Sequence, residues 1–252
     1  MSLLPVEWAV GTAPGGLLPT NVVPVTSRAA ARSNRPDAHG GRAARVVVAV
    51  VLSVVALLVG AALLPWFGDM GARVPFGAIR PLLYFTVQSN VLFLVALVLC
   101  AIALLRGRAP SAGIESLRGL ATVDLAITGI VYGLLLHDGG GDLVLHALSP
   151  LTAAVWWVVL PPRAPVAWAS VPLWLLHPLA WLTVVFAVRG ASADHWVPYY
   201  FLDPRQVGGW QGVASYCGAI VAVVAVLGVI TVLLSRIAPG RSAVWSALGL
   251  GR

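Results

Sequence analysis

Apolar residues run along this chain in long blocks rather than in the alternating pattern of strands, and six blocks stand out. They cover residues 44–65, 80–105, 117–137, 143–160, 166–188 and 207–235. A helix needs about 20 residues at 1.5 Å each to cross the hydrocarbon of a bilayer. Five blocks meet that length, and the fourth, residues 143–160, is the shortest. Several carry β-branched residues, but in lipid a backbone must satisfy its own hydrogen bonds, so blocks this long are predicted helical. The pattern predicts an all-α polytopic membrane protein, a bundle of six transmembrane helices over residues 44–235. Residues 1–43 lack a sustained apolar period and are broken by Pro5, Pro14, Pro19 and Pro24, which predicts a disordered cytoplasmic tail. Their arginines follow the apolar part instead of preceding it, unlike a signal peptide; an overlong start assignment fits equally. Residues 236–252 are predicted to form a short cytoplasmic tail.

Composition agrees with the pattern. Hydrophobic residues make up 59% of the chain and charged residues 10%, against roughly 25% charged in a soluble domain. A water-soluble fold could not cover its surface with so few charges. The formal charge of +7 points to no nucleic acid, because the arginines sit in the links between blocks, where they orient a membrane protein. With the N-terminus inside, Arg28, Arg32, Arg35, Arg42, Arg45, Arg106, Arg108, Arg118, Arg163, Arg236, Arg241 and Arg252 lie on the inner side. Arg73, Arg80, Arg189 and Arg205 lie outside, a count of twelve against four. The expected location is the plasma membrane, multi-pass, with both termini cytoplasmic. Cys100 and Cys217 fall in or beside apolar blocks without metal-site or redox spacing.

Charged or strongly polar groups at bilayer depth cost up to roughly 2.5–3.5 kcal/mol each on insertion scales, so each needs a partner or a use. The densest group lies in the second block, where Thr86, Ser89 and Asn90 follow the i, i+3, i+4 spacing of one helix face. If that block is one straight helix from Arg80, Thr86 lies about 9 Å below the outer surface. Such residues often hydrogen-bond across membrane bundles. His146 stands near the outer start of the fourth block, four residues after Asp142. The last outer link, Asp194-His195-Trp196-Val197-Pro198-Tyr199-Tyr200-Phe201-Leu202-Asp203, is an aromatic segment suited to the membrane interface. Topology thus predicts a hydroxyl, an imidazole and an aromatic lid of Trp196, Tyr199, Tyr200, Phe201 and Asp203 near one membrane face. A threonine hydroxyl becomes a nucleophile when a histidine in reach takes its proton. Asp124, with Thr128 and Tyr132 on the same face of the third block, fits three roles: orienting a base, relaying protons, or pairing with a neighbouring helix. His137 and His195 fall at a helix end and in a loop. His177, before Pro178, suits a hydrogen bond within the bundle.

Four segments occur in a telling order: Tyr84-Phe85-Thr86-Val87-Gln88-Ser89-Asn90, Thr128-Gly129-Ile130-Val131-Tyr132, Leu145-His146 with Pro150, and Tyr199-Tyr200-Phe201-Leu202-Asp203. The set resembles a six-helix bacterial membrane family similar to the androgen-induced membrane hydrolases of animals, over roughly residues 45–235. Those animal proteins are threonine hydrolases of fatty acid esters of hydroxy fatty acids. The resemblance implies that Thr86 is the nucleophile and His146 the base. Gln88, Ser89 and Asn90 replace a more apolar and acidic stretch of the animal proteins, and Pro198-Tyr199-Tyr200-Phe201 is longer than their corresponding segment.

The leading expectation is an intramembrane hydrolase of lipid esters. Thr86 and His146 would be catalytic, Asn90 or Ser89 a candidate oxyanion donor and Asp124 a candidate orienting group. Its partners would be membrane lipid and a lipid ester, with no metal or organic cofactor. The alternative is a non-catalytic lipid-binding or transport protein, although the paired broken helices and internal repeats of transporters are not visible. A haem protein using His137, His146, His177 and His195 is a third reading, which an absorbance spectrum would test.

Overall fold

The computed structural model describes residues 38–69, 80–136, 142–238 and 240–251, all within the unit Pro36–Arg252. Among these residues the only regular structure is helix. We number the α-helices α1 (Ala38–Asp69), α2 (Phe85–Leu105), α3 (Ala112–Leu135), α4 (Ser149–Val159), α5 (Ser170–Ala191), α6 (Trp210–Ile237) and α7 (Arg241–Ala247). Helices α1, α2, α3, α5 and α6 are long and apolar enough to cross a membrane. The fourth predicted block differs: a five-residue π-helical turn, Val144–Leu148, runs into the eleven residues of α4. Together they are too short to count with the other five. Most of the predicted tail 1–43 lies outside the described residues, as do Arg28, Arg32, Arg35, Arg73 and His137; residues 38–43 already belong to α1.

Helix α3 is the centre of the bundle, packing against α2, α4, α5 and α6, while α1 lies against α2. Its position explains its composition. Glu115, Arg118, Thr122, Asp124 and Thr128 are all buried on α3, where other helices rather than lipid supply partners. Arg118 pairs with Glu115 at 2.8 Å and lies 4.9 Å from the ring centroids of both Trp156 and Trp157. One packed region joins α1, α2, α3 and α4 around Leu52, Phe93, Leu97 and Leu125. Another joins α3, α5 and α6 around Val123, Trp174 and Val224. Gly119 permits that second contact, because a Cβ there would stand 2.4 Å from the Trp174 ring. Large apolar side chains such as Leu57, Leu64, Leu134, Leu151, Val158 and Ile237 point outward, as on a surface solvated by lipid rather than water.

Indole N–H groups tie the helices where apolar packing alone has little direction. Trp157 donates to the Thr231 carbonyl (3.1 Å), Trp174 to the Ser116 hydroxyl (3.2 Å) and Trp181 to the Leu83 carbonyl (2.9 Å). The predicted C-terminal tail instead contains the short helix α7. Trp245 on α7 is buried and donates to the Pro161 carbonyl at 3.1 Å, and Arg45 of α1 holds the Leu248 carbonyl at 2.6 Å.

Candidate functional site

The start of α2, the end of α3, the start of α4 and the α5–α6 link meet at one end of the bundle. Two local irregularities build the site there. The first is a correction to the predicted straight helix over residues 80–105. Arg80–Leu83 forms a 3-10 turn, and Tyr84 is extended (φ −86°, ψ 124°) before α2 begins at Phe85. Pro81, fixed in φ and without an N–H, suits such a lead-in. Thr86 therefore sits in the first turn of α2, where backbone N–H groups lack intrahelical acceptors. Its N–H reaches the Tyr199 hydroxyl oxygen at 3.4 Å.

The second irregularity is the π turn. Pro150 has no N–H for the His146 carbonyl, and the Ser149 N–H instead closes the wider ring to the Val144 carbonyl. Asp142 caps the turn, its Oδ1 accepting the Val144 N–H at 2.7 Å. Its backbone carbonyl accepts both the His146 N–H (3.1 Å) and the His146 Nδ1–H (2.9 Å). A carbonyl only accepts, so this contact puts the ring proton of neutral His146 on Nδ1 and leaves the Nε2 lone pair free. That lone pair faces the Thr86 Oγ1 at 3.3 Å, with both side chains buried. The Tyr132 ring stacks on the imidazole, 4.2 Å between centroids and 29° between planes. Gly129 lets α3 approach the turn: a Cβ there would lie 3.3 Å from Pro150 and 3.5 Å from the His146 carbonyl.

Ser89 and Asn90 share the buried face of α2 with Thr86, yet neither aims a donor at open space. The Asn90 amide donates to the carbonyls of Thr86 (2.8 Å) and Leu145 (3.1 Å), joining α2 to the π turn. The Thr128 hydroxyl donates to the Asp124 carbonyl at 2.8 Å, and its oxygen lies 3.0 Å from Ser89 Oγ. Ser89 Oγ also lies 3.0 Å from the Thr86 carbonyl, which leaves its single proton fully engaged. Both residues hold the α2 backbone in place rather than facing a substrate.

Asp124 does not reach His146. It is fully buried, and its Oδ2 lies 2.8 Å from Nδ1 of His177 on α5. His177 Nε2 meets the Gln88 Oε1 at 3.0 Å, and the Gln88 amide donates to the Leu82 carbonyl. The group that orients His146 is thus the Asp142 backbone carbonyl. The sequence shows Asp142 four residues before His146, but nothing in a residue name announces a carbonyl.

An apolar cavity of about 50 Å³ opens beside Thr86 between α3, α5 and α6. Thr86, Tyr132, Tyr199, Phe201, Pro178 and Val224 are among the residues that line it. Of the predicted lid, Tyr199 and Phe201 form cavity wall, stacked with 5.2 Å between centroids. Tyr200 packs edge-on against Tyr216, and Trp196 holds the Arg80 guanidinium 4.4 Å from its ring centre. Asp203 stands outside the cavity. Its carboxylate accepts from Arg205 Nε (2.9 Å) and Gln206 Nε2 (3.2 Å), and the arginine holds it well below the usual carboxylate range. His195 is exposed in the same link with φ 55°. Among the described residues no group of three or more His, Cys, Asp or Glu is placed to hold a metal.

Comparison with models of known families, with curated proteins and with solved structures gives no match.

Proposed function

We propose that this chain is an intramembrane hydrolase of lipid esters, with Thr86 as nucleophile and His146 as base and then acid. One observation carries the reading: Thr86 Oγ1 lies 3.3 Å from His146 Nε2 while the Asp142 carbonyl occupies Nδ1. An imidazole held in that tautomer by a second group is what a hydroxyl nucleophile requires, and such contacts shorten when substrate binds. The apolar lining of the cavity beside Thr86 suits an acyl chain, and the ordered segments that resemble the threonine hydrolases support the same assignment.

The reaction balances without a cofactor. Thr86 Oγ bonds to the ester carbonyl carbon and its proton passes to His146 Nε2. The tetrahedral intermediate then expels the alcohol, which takes that proton. Water repeats the sequence, releasing the carboxylic acid and restoring the threonine. For the frame, we propose six crossings of the plasma membrane, with the π turn and α4 as the short fourth crossing and both termini in the cytoplasm.

The experiment is hydrolysis of 4-nitrophenyl octanoate by the purified chain in detergent. Wild type should turn over, whereas Thr86→Ala and His146→Ala should be inactive with unchanged thermal unfolding. A fluorophosphonate probe should attach at Thr86. Wild-type rates in both variants would defeat the assignment. Lipid co-purifying with a chain that the probe never labels would favour a non-catalytic lipid binder.

A further inference from the structure

We infer that the Tyr199 hydroxyl is the donor that binds the oxyanion formed when Thr86 attacks an ester, an assignment that rests on the hydrolase reading. A tetrahedral intermediate needs a donor beside the nucleophile, aimed into the space that the carbonyl oxygen enters. Polar groups lining the cavity are few. Thr128 gives its proton to the Asp124 carbonyl, and the Trp181 indole N–H goes to the Leu83 carbonyl. Ser89 and Asn90, the donors expected from sequence, are turned to backbone carbonyls and a hydroxyl.

Tyr199 is arranged differently. Its oxygen accepts the Thr86 backbone N–H, a contact that does not use the phenol's own proton, and the Thr86 side chain is a further hydrogen-bond partner of the same hydroxyl. The ring lines the same cavity as Thr86, which puts that proton within reach of a carbonyl seated on the nucleophile. The N–H that it accepts belongs to the first turn of α2, the positive end of the helix. Polarisation through this bond strengthens the phenol as a donor. Burial pushes the Tyr199 ionisation above its ordinary value, which keeps the proton in place at neutral pH.

The ring is also fixed before any substrate arrives. It stacks on Phe201 with 8° between planes and meets Tyr84 edge-on at 5.9 Å. A donor locked by packing costs no reorganisation as charge develops. During the addition the carbonyl π pair moves to oxygen, and Tyr199 holds the resulting anion by a hydrogen bond without giving up its proton. When the intermediate collapses the pair returns and the contact relaxes.

The test is Tyr199→Phe in the full chain, which keeps the ring and removes only the hydroxyl. With 4-nitrophenyl octanoate, kcat should fall about 10²- to 10³-fold, KM should stay within about threefold of wild type, and thermal unfolding should be unchanged. Octyl trifluoromethyl ketone, which adds Thr86 and carries an alkoxide, should bind more weakly by a comparable factor. Octyl methyl ketone should bind as before, a contrast that a merely structural hydroxyl would not produce. Wild-type kcat in Tyr199→Phe, with Thr86→Ala inactive, would overturn the inference and leave the hydrolase reading standing. The loss appearing in Tyr132→Phe instead would also overturn it. Full activity in Thr86→Ala would remove the hydrolase reading and this inference together.

Discussion

Two histidines of this bundle, His146 buried and His177 half-buried, make opposite use of the same ring. His146 gives its Nδ1 proton to a backbone carbonyl, so Nε2 presents a lone pair to the Thr86 hydroxyl. His177 faces Gln88 through Nε2, and because the Gln88 amide donates to Leu82, the imidazole must be the donor there. Its other nitrogen meets the Asp124 carboxyl, and one proton is shared across that 2.8 Å contact. No lone pair is left for a hydroxyl. The first histidine presents a lone pair to a hydroxyl; the second is a strap joining α2, α3 and α5. The partner on the far nitrogen decides between them, a carbonyl leaving a neutral base and a carboxyl supplying a proton.

The largest effect should separate the two rings directly. His146→Ala is expected to lower ester turnover at least about 10³-fold, whereas His177→Ala should keep kcat within about tenfold. Equal loss in two well-folded variants would erase the distinction. Stability should divide the other way. His177→Ala, which strands the Asp124 carboxyl in the bundle, should cost about 1–3 kcal/mol, read as a lower midpoint of thermal unfolding in detergent. His146→Ala should shift that midpoint much less.

Gly129→Ala sharpens the comparison at the His146 side alone. The added Cβ presses on Pro150 and touches the His146 carbonyl, and the shift of the π turn that Pro150 transmits to the imidazole should reduce kcat about tenfold with the Asp124–His177 strap undisturbed. Binding of octyl methyl ketone should hold steady; a parallel loss there would mean that the cavity, not the base, had moved. The smallest effect concerns the α5–α6 link. Arg205 keeps the Asp203 carboxyl ionised below its ordinary range, so its contribution is complete above the unfolded value of about 3.9 and is lost only as pH falls through the lower folded value. The hydrogen-exchange protection of residues 199–206, taken relative to the intrinsic rate at each pH, should therefore be unchanged between pH 7 and pH 5, while Asp203→Asn should lower it at both.

The helical class of the protein was legible in its sequence, because long apolar blocks leave a backbone in lipid few alternatives. So were Thr86, His146 and the aromatic link as candidate groups, since topology brings the starts of the second and fourth blocks to one end. Less legible were the breaks within blocks. Pro81 and Pro150 are plain in the sequence, yet whether a proline ends a helix, widens a turn or is absorbed depends on its neighbours. The short helix α7 escaped because its burial comes from Trp245 finding the Pro161 carbonyl, a contact across the fold.

By itself, then, the chain determined its long apolar helices and the residue types available for chemistry, since these follow from composition and from periodicity along one segment. Tertiary structure alone decided which imidazole faces a hydroxyl and which is tied to a carboxyl. It also decided that Asn90 and Ser89 brace α2 while the Tyr199 hydroxyl meets the Thr86 N–H. The reason is geometric. The direction of a lone pair or a proton is set by backbone carbonyls and amides from other helices, which no side-chain pattern encodes.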